Sequence, residues 1–150
     1  MPEEHRRGAY LVSDDPERLD LEVVHGYLGR SYWSKGISRA LVERSIQHSL
    51  CFGLYEEGRQ VGFARVVTDQ ATFAYLCDVF ILETHRGQGL SKWLMECILA
   101  HPDLQGLRRF LLCTRDAQEL YRKFGFTAVP DASRVMEINH PGIYLRAGTQ

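Results

Sequence analysis

The sequence predicts an α/β fold: one domain over residues 1–150, with a single mixed sheet carrying helices on its faces. Three observations predict it. The chain has 150 residues at 45% hydrophobic content, enough for one core. Its hydrophobic periodicity switches between strand-like alternation and helical spacing in the order β-α-α-β-β-β-α-β-α-β-β. No repeat, low-complexity run or linker divides it, so its elements share one sheet.

The elements follow in order. Ala9–Ser13 (AYLVS) reads as a first strand. Asp14, Asp15 and Pro16 supply helix-start chemistry, and Leu19, Val23 and Leu28 carry a helix to about Gly29. Gly29–Gly36 (GRSYWSKG) breaks it with glycines and two aromatics. A second helix spans roughly Ser38 to Ser49, with Leu41, Val42, Ser45, Ile46 and Ser49 on one face. Leu50–Tyr55 and Val61–Thr68 flank EEGRQ, a hairpin signal with glycine in the turn. Thr72–Ile81 is a long strand of aromatic and β-branched residues. Gly89–Ala100 places Leu90, Trp93, Leu94, Cys97 and Ile98 at helical spacing. Arg109–Thr114 is a strand and Ala117–Phe124 a short helix capped by Gly125. FTAV and RVMEI, on either side of PDAS, read as two closing strands.

Composition excludes several function classes. Eighteen basic against 19 acidic residues give a formal net charge of −1, with no electrostatic footprint for nucleic acid or an anionic membrane. Cys51, Cys77, Cys97 and Cys113 are widely spaced within apolar runs and lack metal-ligand spacing, so they read as small hydrophobes, and no metal is expected. MPEEHRR has no apolar run behind it, and no stretch reaches the roughly 18 apolar residues of a membrane span. The expectation is a protein of the reducing cytoplasm.

His85–Leu94 (HRGQGLSKWL) carries the chemical signal. A helix starting near Gly89 turns unpaired N–H groups and the positive end of its dipole toward the preceding turn. Gly87 and Gly89 let the backbone close around an anion, with Arg86 adding charge and Ser91 a hydroxyl. A structural glycine turn is the alternative. GxxxxGK[ST] is absent, and Trp93 stands where a dinucleotide fingerprint needs its third glycine. Neither nucleotide loop fits well.

Arg86–Ser91 (RGQGLS) resembles the [QR]xxGx[GA] pyrophosphate loop of the GNAT superfamily of acyl-CoA-dependent N-acyltransferases. DVFILETHR before it is similar to the family's approach strand, and TRDAQELYRKFGF (Thr114–Phe126) to the family's NxxAxxLYxKxGF segment. The three motifs keep the family's order and spacing over roughly residues 50–130. Two positions depart: Ser91 replaces Gly or Ala, and Thr114 stands where Asn is common, which weakens an expected bond to the pantetheine arm.

The resemblance implies a mostly antiparallel sheet, splayed at an acyl-CoA site and flanked by helices on both faces. It implies direct acetyl transfer from acetyl-CoA to a primary amine in a ternary complex, while the near-neutral surface and the lack of a peptide-groove signature favour a small-molecule amine as partner. Val79, Phe80 and Ile81 would pair with the pantetheine amides and meet the oxyanion, while Arg86, Gly87, Gln88, Gly89, Leu90 and Ser91 would hold the pyrophosphate. Tyr121 would be the general acid toward the thiolate; a core tyrosine is the alternative. Asp78 is the candidate base, because an acid in an apolar strand is costly unless paired or used. Glu83 and His85 read as solvated turn residues. Tyr32, Trp33 and Tyr75 are candidate acceptor contacts, although Tyr32 and Trp33 could equally latch their loop to the core. His25 and Tyr27 share that ambiguity. A homodimer fits many relatives. Rival readings are a non-catalytic acyl-CoA sensor, a nucleotide-binding regulatory domain, and an acetyltransferase of protein lysines or N-termini.

Overall fold

A computed structural model describes residues 1–146. Six strands lie in sequence order across one sheet: β1 (Glu4–Arg7), β2 (Tyr10–Ser13), β3 (Leu50–Glu56), β4 (Arg59–Thr68), β5 (Phe73–Ile81) and β6 (Arg109–Leu112). Every neighbouring pair is antiparallel except β5–β6, which is parallel because a helix crosses between them. The mixed, mostly antiparallel sheet expected from the sequence is therefore present.

β1 is absent from the sequence reading. Its residues, EHRR, show no apolar alternation, and three of the four are exposed. It forms because Gly8, at φ +59°, opens a two-residue hairpin loop that brings Arg7 opposite Tyr10. The turn, not the strand's own side chains, carries that signal.

The helices cover both faces. α1 (Leu21–Arg30) begins later than expected, because Asp14–Asp15–Pro16 starts only a 3-10 turn at Pro16–Arg18. A second acid, Asp20, then accepts from the N–H groups of Glu22 and Val23 and caps the true helix. α2 (Arg39–Gln47) starts after Ser38, whose hydroxyl accepts from Leu41 N–H. Each cap is worth about 1 kcal/mol. Both helices pack on one face with Val24, Leu28, Val42, Cys51, Phe63 and Phe80.

α3 (Leu90–Leu99) and α4 (Gln118–Arg122) lie on the other face. α3 buries Leu90, Trp93, Leu94, Met95, Cys97 and Ile98, at roughly 1.5–3 kcal/mol for each large side chain. No helix among the described residues is long and apolar enough to cross a membrane.

The two closing strands expected at FTAV and RVMEI do not form. Phe126 turns back edge-on to Phe110 and Tyr121, at 5.4 and 5.9 Å between centroids. Pro130 cannot donate to a ladder, and Asp131 then caps a 3-10 turn at Ala132–Arg134. Val135, Met136 and Ile138 lie exposed, so their apolar alternation finds no neighbouring strand to pair with.

Two irregularities in β5 create the site. Pairing with β6 runs only from Phe73–Arg109 to Leu76–Leu112, and beyond Leu76 the two strands part. Against β4, the register shifts between Phe63 and Arg65, so Asp78 and Val79 together face Ala64. Asp78 takes φ +56° there, a left-handed conformation that Asp tolerates better than most residues. Strict alternation would turn Asp78 to the side of Leu76, into the core beneath α3. The extra residue turns it to the opposite face.

Candidate functional site

A cleft of 280 Å³ opens where β5 leaves β6, lined by Val79–Ile81, by residues of the loop before α3, and by Leu120 and Tyr121 of α4. Gly87 and Gly89 hold φ +80° and +75°, and no atom lies within 4 Å of a Cβ built on either. Backbone conformation, not crowding, therefore requires glycine here. Gly89 is the N-cap of α3 and has no side-chain cap, so the helix's first N–H groups face the cleft mouth without an internal partner. Arg86 joins this mouth: its Nε donates to Ile81 O at 3.2 Å and its Nη2 to the Tyr27 hydroxyl at 2.6 Å. A free strand edge, a glycine turn, a helix N-terminus and an oriented guanidinium suit a chain of amides ending in a diphosphate.

The expected cofactor contacts separate into two groups. Val79, Phe80, Ile81, Arg86, Gly87, Gly89, Leu90 and Ser91 line this cleft. Gln88 does not; its Oε1 accepts from the Tyr10 hydroxyl at 3.1 Å, tying the loop to β2. Thr114 lines a second cavity of 710 Å³ beside β6, and its Oγ1 accepts from Ala117 N–H at 3.0 Å. Tyr121 lines both cavities. It is buried, and that burial, aided by the nearby Tyr32 hydroxyl, raises its pKa above the ordinary value of 10. Tyr121 thus keeps its proton at neutral pH.

On the other face, the bulge presents Asp78 to two donors. Oδ1 accepts from Trp33 Nε1 and Oδ2 from Arg65 Nε, each at 2.8 Å. Arg65 Nη1 continues to Ser49 Oγ at 3.0 Å. The Asp78 and Arg65 side chains are only 9% and 20% exposed, so this is a largely desolvated pair. Trp33 is 37% exposed and Tyr32 is 55% exposed; the rings meet edge-on at 5.1 Å. The α1–α2 loop is thus latched by a polar bond to β5, and its two aromatic side chains stay partly exposed. Tyr75 is partly buried in β5, and burial, with the Cys113 thiol beside it, pushes its pKa up to about 12.

Sequence reasoning missed Arg65 and left Tyr27 ambiguous. Tyr27 stacks on Phe80 with centroids 4.0 Å apart and planes 7° from parallel, and approaches Trp33 at 6.4 Å. The cost of an unpaired acid at Asp78 signalled that a partner exists, but strand alternation could not say that it is Arg65 on the neighbouring strand. His25 Nε2 donates to Ile37 O at 3.0 Å, which fixes the far end of the same loop.

Other reactive groups are committed elsewhere. Burial pushes the thiols of Cys51 and Cys77 up to about 12 and Cys97 to about 11, which leaves them poor nucleophiles. Glu83 is held below its usual range, first by its hydrogen bond from Arg30. His85 pairs with Glu56 at 2.8 Å. Among the described residues, no group of three or more His, Cys, Asp or Glu side chains is arranged to hold a metal ion.

Comparison with known proteins agrees with this geometry. The family model for the acetyltransferase (GNAT) domain matches residues 47–128. A Gibberella zeae protein, FG08082, provisionally named an acetyltransferase, is 34% identical over 145 residues, covering 81% of each chain. A GNAT-family crystal structure from Xanthomonas campestris pv. campestris is 52% identical, with TM-score 0.87, and covers 96% of this chain and 98% of that one. A Clostridium acetobutylicum protein solved with acetyl-CoA shares the fold at 14% identity and TM-score 0.62, over 87% of this chain and 94% of that one.

Proposed function

Because this chain belongs to the GNAT family of acetyltransferases, we propose that it transfers an acetyl group from acetyl-CoA to a primary amine of a small molecule, with donor and acceptor bound together. One observation carries the reading: Tyr121, a buried and protonated hydroxyl, lines the cleft beside the freed edge of β5. Acetyl-CoA supplies the activated acetyl group, and the remaining work falls to this chain's residues.

Gly87, Gly89, Leu90 and Ser91 would bind the diphosphate with backbone N–H groups at the α3 N-terminus, with Arg86 beside them. The backbone groups of Val79–Ile81 that β6 no longer pairs would align the amide arm as an added strand, although Ile81 O already accepts from Arg86 Nε. One N–H of that edge would stabilise the developing oxyanion, a contribution on the order of 3 kcal/mol. Tyr121 Oη would give its proton to the leaving sulfur, and the raised pKa supports that role. Direct attack needs no cysteine nucleophile, in keeping with the poorly ionised buried thiols.

The test is an acceptor screen with acetyl-CoA that reads free thiol release. Turnover of a small amine supports the reading. Tight acetyl-CoA binding without turnover of any small amine, peptide lysine or N-terminus would leave a binding module instead.

A further inference from the structure

Asp78 sits where an acid facing the acceptor side of a transfer site could take a proton, yet its surroundings serve another purpose. Both oxygens already accept protein hydrogen bonds, from Trp33 Nε1 and Arg65 Nε. Arg65 is anchored in turn by Ser49, so the carboxylate is fixed from the strand side and offers its other oxygen to the loop. An ammonium approaching Asp78 would also meet the Arg65 guanidinium, a like charge, in a poorly solvated place.

What Asp78 holds is more exposed than what holds it. Trp33 projects from the α1–α2 loop, braced by Tyr32 edge-on and by Tyr27 behind it. Arg115, from the segment that leads into α4, lies 3.9 Å over the Tyr32 ring. The Tyr32 hydroxyl is near enough to Tyr121 to raise its pKa. The Arg115 contact joins the aromatic pair to the segment that leads into α4, and the Trp33–Asp78 bond ties that pair to the sheet.

We propose that Asp78 is a positioning residue: turned outward by the β5 bulge and neutralised by Arg65, it holds the Trp33 indole and so fixes the wall against which the acceptor lies. The backbone explains why an aspartate stands there. A left-handed residue at the bulge is needed to turn a side chain to this face, and Asp is among the few non-glycine residues that adopt it readily. This assignment rests on the acetyl-transfer reading for its acceptor but not for its hydrogen bond, and the two are tested apart.

Three variants suffice. Trp33→Phe removes the N–H donor and leaves the Arg65–Asp78 pair intact; Asp78→Asn removes the charge and any capacity to act as a base; the third combines them. With an accepted amine, each single variant should raise the acceptor KM about tenfold, the scale of one hydrogen bond, and keep kcat within about threefold. The KM for acetyl-CoA should not move. The double variant should be no worse than the more impaired single, because both act on the same contact: the amide introduced by Asp78→Asn has one oxygen for two donors, Trp33 Nε1 and Arg65 Nε. Independently of catalysis, the Trp33 indole N–H resonance of ¹⁵N-labelled protein, identified by its loss in Trp33→Phe, should shift in Asp78→Asn.

An unmoved resonance would overturn the bond. A kcat loss of about 100-fold or more in Asp78→Asn alone, at unchanged acceptor KM, would make Asp78 a base and overturn the proposal. If wild-type protein turns over no amine while the resonance shifts as expected, the transfer reading fails and the acceptor role falls with it, leaving only a loop latch.

Discussion

The guanidinium of Arg86 donates to the hydroxyl of Tyr27 across 2.6 Å, so the glycine loop before α3 is joined to α1. Tyr27 is stacked on Phe80 and orients the guanidinium through its hydroxyl. Nη2 also lies 3.7 Å from Glu83 Oε1, and Nη1 remains for an anion. Tyr27→Phe should therefore weaken CoA binding about two- to fivefold by loosening the guanidinium, with the fold unchanged. Titration calorimetry with CoA decides it; tighter binding would mean that Tyr27 competes with the diphosphate.

Gly89→Glu should abolish CoA binding while the domain stays folded. The Cβ site is open, so the fold loses only about 1–2 kcal/mol from a left-handed non-glycine residue. The carboxylate would sit at the mouth where a phosphate is expected, at the positive end of α3. Retained affinity in a folded variant would reduce the loop to a turn.

Tyr121→Phe keeps the ring packed against Phe126 and removes one hydroxyl. Acetyl-CoA binding should survive while turnover falls about 10²–10⁴-fold. The pH profile adds a second check. Burial raises the tyrosine above its ordinary 10, so the acid stays protonated through neutrality and is lost only as pH rises past that value. Wild-type kcat should fall on that alkaline limb, and the residual rate of the variant should lack it. The same shift makes the folded state indifferent to pH below the unfolded tyrosine pKa and progressively less stable above it. A variant with wild-type turnover, under conditions where chemistry limits the rate, would refute the acid role.

Tyr55→Phe should stabilise the protein. Tyr55 is buried in β3, its ring lies over Gly53, and its hydroxyl is a buried polar atom without a hydrogen-bond partner. An unmet buried hydroxyl costs about 1–3 kcal/mol, so its removal should return about 1 kcal/mol and raise Tm by about 2–4 °C. A lower Tm in the variant would show that the hydroxyl is satisfied after all.

The sequence made the cleft beside β5 legible and the Trp33–Asp78 contact only partly so, for a physical reason. The cleft is built from contiguous signals: a strand, a glycine turn and a helix with one apolar face, each with its own periodicity. Tyr121 carried a motif as well. The acceptor wall depends on contacts between distant segments, Trp33 with Asp78 across 45 positions and Arg86 with Tyr27 across 59. Neither contact leaves a periodic trace. The bulge that turns Asp78 outward was equally hidden, because a strand with one extra residue has the composition of a strand. β1 was lost to its charged side chains, and the two closing strands were over-read from alternation that had no neighbour to satisfy it.

The division of the site between chain segments has a consequence for descent. The donor cleft draws mainly on residues inside the matched stretch 47–128, with Tyr27 of α1 at its edge, whereas Tyr32 and Trp33 precede that stretch and do not line the cleft. Trp33 reaches the sheet through its bond to Asp78, and Tyr32 meets Arg115. Under the proposed function, a lineage can rewrite residues 32–36, and with them the amine accepted, while keeping the residues that line the cleft.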